Sequence, residues 1–172
     1  MEDDCGEIPP DFRTTTTAYN PIEDRLCACA EACNVGREMI DIVSPAHTEQ
    51  QRRMDCHLET GSYMETMVFE FDQKPSHEQK KFLMIAFEAV RFKNCLLRTR
   101  LIKYKGQVLQ VLLSDKADWT EGDDISTYMD QDRMFRMDYG RPLFRYALIE
   151  DKDKPTYFVW TGMSNKSSRY QS

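Results

Sequence analysis

No apolar run in these 172 residues is long enough to cross a bilayer. A signal peptide is also missing, because Met1-Glu2-Asp3-Asp4 is acidic where a basic region is needed and no apolar segment follows. Both absences argue for a cytoplasmic chain without membrane contact. The six cysteines are then expected as reduced thiols rather than a disulfide framework. A basic excess is absent too. The net charge is −6, and an acidic chain repels phosphate backbones, so nucleic acid is not expected as a partner. Catalytic signatures are equally scarce. His47, His57 and His77 are the only histidines, none stands in a nucleophile motif, and no G-x-S-x-G occurs. Hydrophobic residues make up 41%, enough for one domain or one lobe of a larger one to bury a core.

Two clusters carry metal-ligand chemistry by residue type. Cys27, Cys29 and Cys33 form a C-x-C-x3-C pattern, with Cys56-His57 further on. Zinc sites place two residues between paired cysteines, and here there is one, so small apolar side chains of a nascent helix are the expectation. Glu121, Asp123, Asp124, Asp130 and Asp132 do not fit a calcium loop, which needs a central Gly and a terminal Glu, so they read as a solvated helix face. Met129, Met134 and Met137 read as core fillers. No metal and no cofactor are expected.

Residues 1–34 lack periodicity and contain Pro9-Pro10 and the threonines Thr14 to Thr17, which predicts a flexible leader with at most a helical turn near Leu26. Ile40, Ile42 and Val43 suggest a short extended piece. A polar helix is expected over Thr48 to Leu58, with Met54 and Leu58 on one face. Tyr63 to Phe71 alternates as a strand. The clearest element starts at Ser76, three residues before Gln79, the spacing of a capping box. Phe82, Leu83, Ala86, Phe87 and Val90 follow at helical spacing and predict a broad buried face. Leu97 to Tyr104 and Gln107 to Leu113 form a hairpin around Lys105-Gly106. Asp118 to Gly122 reads as a loop, Asp123 to Phe135 as a helix, and Leu143 to Ile149 and Tyr157 to Thr161 as strands. Residues 35–161 thus form one α+β unit with helices on a mostly antiparallel sheet, and 162–172 read as an irregular tail. No internal repeat is evident.

Three stretches resemble the condensation domains of nonribosomal peptide synthetases, especially fungal ones. Asn94 to Leu101 is similar to the family's second motif through Leu97, Arg98, Thr99 and Leu101, although Asn94 stands where a histidine is usual. Thr48, Gln51 and Met54 resemble the opening motif. Gly140, Pro142, Leu143 and Arg145 match a "G-x-P-L-x-R" before a core strand. The resemblance implies one lobe of a chloramphenicol acetyltransferase-like sandwich. It implies a parent activity of amide-bond formation between carrier-bound acyl groups in secondary metabolism. It also implies structural rather than chemical roles for Thr48, Gln51, Leu97, Arg98, Thr99, Gly140, Pro142, Leu143 and Arg145.

The family's catalytic motif, HHxxxDG, should follow the last strand. Aligned there, the chain reads Met163-Ser164-Asn165-Lys166-Ser167-Ser168-Arg169, and Ser164 stands where the catalytic His is expected. A hydroxyl has no useful basicity near neutral pH. The expectation is a chain truncated before that motif, catalytically inactive alone, and prone to self-association through an exposed lobe interface. An interrupted reading frame and a genuine short protein both fit the polar tail. The alternative is a free-standing module that binds a phosphopantetheinyl carrier protein or another synthetase module. An active acyltransferase of this fold needs at least H-x-x-x-D, which is absent.

Overall fold

The computed structural model describes residues 20–61, 64–151 and 155–163. Four α-helices and seven strands follow one another among them: α1 (Pro21–Cys33), β1 (Ile40–Pro45), α2 (Thr48–Thr60), β2 (Met64–Glu70), α3 (His77–Lys93), β3 (Thr99–Tyr104), β4 (Gln107–Leu113), β5 (Trp119–Gly122), α4 (Ile125–Met134), β6 (Phe144–Glu150) and β7 (Thr156–Met163). The strands make two sheets. One is antiparallel with order β1-β4-β3. The other has order β2-β7-β6-β5, antiparallel except for the β5–β6 pair. The expected α+β class, helices on mostly antiparallel sheets, is what the chain adopts.

Local signals explain most element ends. Ser76 caps α3 by accepting from the Gln79 amide at 3.2 Å, and Gln79 returns the bond to the Ser76 amide at 2.7 Å. Lys105 and Gly106 turn the β3–β4 hairpin with φ of 47° and 79°. Asp124 caps α4 through the Thr127 amide at 2.7 Å.

The four-stranded sheet is covered on both faces, and the period-two alternation of β6 and β7 sorts the residues. Ala147, Ile149 and Val159 pack under Tyr128, Ile125 and Met129 of α4. Phe144, Tyr146, Phe158 and Trp160 face the other way, onto Met54 and Leu58 of α2 and Phe87 of α3. The Phe87 ring lies 4.4 Å from that of Tyr146 and 5.2 Å from that of Trp119, both edge-on, a favourable aromatic arrangement.

Five expectations need correction. Residues 1–19 lie outside the described residues, but Pro21–Cys33 of the expected flexible leader is helix α1, with Cys29, Ala30 and Cys33 buried. Leu26, Cys29, Ala30 and Cys33 stand at helical spacing. The buried ones are small side chains, and they cover Ile102, Leu109 and Val111 of the hairpin. The face of α3 is also rotated from expectation. Leu83 and Phe87 turn inward, whereas Phe82, Ile85 and Val90 are 72%, 59% and 57% exposed. Residues 119–122, expected as a loop, form β5. Four residues are too few to show a period, and their parallel pairing with Tyr146 to Ile149 is non-local. Gly162 and Met163, placed in the irregular tail, extend β7. A Cβ at position 162 would lie 2.2 Å from the Phe144 ring, so glycine lets the strands meet there. Finally, Met137 is buried as a core filler, but Met134 is 84% exposed.

Candidate functional site

The motif residues gather where α3 gives way to β3. A 3-10 turn, Cys95–Arg98, joins the two. Arg98 is buried, and its Nη1 donates to Asp41 Oδ2 at 2.7 Å and to the Leu113 carbonyl. Its guanidinium sits 4.7 Å from the centre of the Phe92 ring. The Thr99 hydroxyl, also buried, donates to the Cys95 carbonyl at 2.8 Å and closes the turn. Arg100 donates from Nη1 to the Cys33 carbonyl at 2.6 Å and from Nη2 to Asp115 at 2.8 Å. It thereby ties the C-terminus of α1 to the sheet.

The second motif group faces the first. Gly140 has φ of 78°, its amide donates to the Leu101 carbonyl at 2.6 Å, and a Cβ there would lie 2.0 Å from the Ala32 carbonyl oxygen. Pro142 makes an isolated antiparallel bridge with Arg100. Leu143 is in the core. On the α4 side of β6, the Arg145 Nε donates to Asp132 Oδ1 at 2.7 Å, and the Thr161 hydroxyl donates to Asp132 Oδ2 at 2.7 Å. Asp132, read in the sequence as part of a solvated acidic face, is therefore a buried anchor: its side chain is 7% exposed. Asp130, two residues earlier, is the solvated one, at 77%.

These groups border a cleft of about 860 Å³ lined by Leu97, Arg98, Thr99, Gly140, Pro142 and Arg145, among others. Thr48 and Gln51 are not in it. They lie exposed in the first turn of α2. A second, more apolar cavity of about 330 Å³ has His47, Leu143, Phe144 and Met163 in its wall. His47 caps α2, its Nδ1 accepting from the Glu49 amide at 3.3 Å, while its own amide donates to Gln50 at 3.0 Å. His57 is buried and His77 exposed. Ser164 lies outside the described residues.

Asp115, Arg91 and Tyr146 carry no motif signal, yet they form the inner wall of the cleft. Arg91 grips Asp115 through a bond to its carbonyl and a 2.6 Å bond to Oδ1. Helical spacing from Phe87 places Arg91 inward, and that is the one signal that could have found it. Burial, with Asp132 nearby, pushes the Tyr128 hydroxyl up to about 12. Burial likewise raises the Tyr146 hydroxyl, although Arg91 beside it pulls the other way.

Comparison with known proteins places this architecture. No family model matches the chain. The nonribosomal peptide synthetase gloA of Glarea lozoyensis is 34% identical over 137 residues, covering 79% of this chain. The synthetase sidD of Aspergillus fumigatus is 32% identical over 158 residues, 88% of this chain. The fold matches the condensation domain from the Monacolin K polyketide synthase MokA with a TM-score of 0.56 at 13% identity, over 73% of this chain and 30% of that one. The chain is thus related in sequence to fungal nonribosomal peptide synthetases and has the fold of a condensation domain. It spans 2% of the length of gloA and 7% of sidD. Within this condensation-domain fold the cysteine cluster is dispersed by burial. Cys27 is exposed, Cys29 and Cys33 are buried, and burial pushes the Cys33 thiol up to about 11.

Proposed function

We propose that this stretch of chain is the N-terminal lobe of a condensation domain and that, by itself, it forms no amide or ester bond. The parent activity is amide-bond formation between carrier-bound acyl groups in cytoplasmic secondary metabolism. One observation carries the reading: residues 78–172 contain no histidine, although the family's catalytic pair should follow β7. Family chemistry needs an imidazole near the attacking amine, and general-base help of that kind is worth about 10²–10⁴-fold. His47, His57 and His77 stand on α2 and α3 in capping, buried and exposed positions, away from the end of β7 in sequence.

The test mixes the chain with aminoacyl-loaded donor and acceptor carriers and looks for the dipeptidyl thioester by mass spectrometry. No product above the enzyme-free control is expected. Product that appears, and disappears on Ser164→Ala, would instead assign the reaction to the residue in the histidine's place.

The outward apolar face of α3 favours a second reading, a module that docks a phosphopantetheinyl carrier protein or another synthetase module. Calorimetric titration with holo-carrier separates the two, because a saturable complex is expected only for the docking module.

A further inference from the structure

We propose that the cleft at the open edge of β6 binds a small molecule bearing an oxyanion, a phosphate or a carboxylate. This goes beyond the acyl-transfer reading and does not rest on it. The argument starts from unmet hydrogen bonds. Among the described residues, six buried side-chain nitrogen or oxygen atoms have no protein partner. Four of them belong to residues lining this cleft: Arg91 Nε, Arg98 Nε, Arg145 Nη1 and the Tyr146 hydroxyl. All four are donors, and three carry a guanidinium's charge. A buried donor left unpaired is costly, so this concentration marks a place built for an acceptor.

Geometry explains how both sides of one strand reach the same space. Arg145 and Tyr146 point to opposite faces of the sheet. Parallel pairing with β5 begins only at Tyr146, so Phe144 and Arg145 stand at an edge that β5 does not cover. The cleft wraps that edge. Tyr146 and Arg91 are both more than nine-tenths buried. The phenol stays protonated well above its ordinary range because it is buried, so it can serve as a donor at neutral pH.

Charge agrees with the hydrogen bonding. The chain is acidic overall, yet the cleft is lined by six arginine and lysine side chains against four aspartates. Two of those carboxylates, Asp115 and Asp132, are already held by Arg91, Arg100 and Arg145. The walls of the cleft thus carry a net positive excess, which favours an anion. The guanidinium edge suits phosphate and carboxylate oxygens. A volume of about 860 Å³ is in the range of small-molecule sites.

Calorimetric titration of the full chain with pyrophosphate and, separately, malonate tests this, with ionic strength held constant by sodium chloride. Saturable one-to-one binding is expected for at least one of them, and which one binds distinguishes phosphate from carboxylate. Tyr146→Phe removes a hydroxyl that no protein group uses, so the fold should survive while affinity falls about tenfold. Lys116→Ala, at the exposed rim, should weaken binding about threefold and leave circular dichroism unchanged. Heats indistinguishable from the chloride control would overturn the proposal. So would parental affinity in Lys116→Ala together with parental affinity in Tyr146→Phe, and if the latter fails to fold, the lysine variant decides alone.

Discussion

Helix α1 packs on the three-stranded sheet and α3 on the four-stranded one, and they treat their apolar residues in opposite ways. α1 buries Cys29, Ala30 and Cys33 against Ile102, Leu109 and Val111. It is tied at both ends: Asp24 accepts from the Tyr104 hydroxyl at 2.6 Å and from Lys105 at 2.8 Å, and the Cys33 carbonyl accepts from Arg100. α3 is longer. It anchors through Leu83, Phe87 and Arg91 and turns Phe82, Ile85 and Val90 to solvent. Both helices have polar ties, α3 through Lys80 to Glu150, through the Ala117 amide to Glu88 and through Arg91 to Asp115, so what distinguishes them is which apolar residues the sheets cover.

The largest effect should come from the seat of α1. Gly140 combines a left-handed φ with a Cβ position 2.0 Å from the Ala32 carbonyl oxygen, a backbone atom that cannot swing aside. Gly140→Ala is expected to cost about 2–4 kcal/mol. That would lower the melting temperature by several degrees, read by circular dichroism. An unchanged melting point would mean that α1 shifts freely and is not seated there.

The exit from α3 should come next. Thr99→Val removes the hydroxyl that closes the 3-10 turn onto the Cys95 carbonyl and leaves that carbonyl short of one partner. A loss of about 1–3 kcal/mol is expected. Thr99→Ser keeps the donor and should recover most of it. If both variants melt like the parent, the turn does not fix α3.

Cys33 sharpens the α1 side further. Cys33→Ala deletes one buried sulfur and should cost about 1 kcal/mol, since the site can partly collapse. Alkaline titration adds a directional check. Burial raises the folded thiol to about 11 from an ordinary 9.0, so between those values the unfolded chain has lost a proton that the folded chain keeps. Stability is fully present below pH 9 and falls as pH approaches 11, and Cys33→Ala should flatten that part of the profile. Native alkylation should follow exposure, with Cys27 and Cys95 modified before Cys29 and Cys33.

The contrast between the helices also shows what a linear sequence discloses. The capping box at Ser76, the Lys105-Gly106 turn and the alternation of β6 and β7 are local signals, and each element sits where they point. The burial of α1 depends on Gly140 and Arg100, more than sixty residues away. β5 exists only through its pairing with β6. The motif residues Arg98, Thr99, Gly140 and Arg145 were legible through resemblance. The carboxylates that Arg98 and Arg145 work against, Asp41 and Asp132, were not, because an aspartate looks the same in sequence whether it solvates a helix or holds an arginine. The outward side of α3 was misjudged for a related reason. Periodicity reports a continuous apolar surface nearly all round the helix, and nothing local says which arc meets the sheet.

The smallest expected effect on stability belongs to that outward arc. Phe82 is 72% exposed, so replacing it recovers little buried area, and Phe82→Glu should change the melting temperature by less than about 2 °C, within roughly 0.5 kcal/mol. Its effect on association should be the reverse. Phe82, Ile85 and Val90 form a contiguous apolar stripe on an otherwise charged chain, and such a stripe promotes self-association. A charge in its centre opposes that by desolvation, and repulsion across a symmetric contact would double the penalty. Sedimentation of the parent at rising concentration should show a weight-average mass climbing above the monomer, and Phe82→Glu should return it to the monomer value while leaving circular dichroism unchanged. A parent that stays monomeric would remove the self-association expectation. A variant that melts well below the parent would show that Phe82 is packed after all, making α3 as firmly seated as α1.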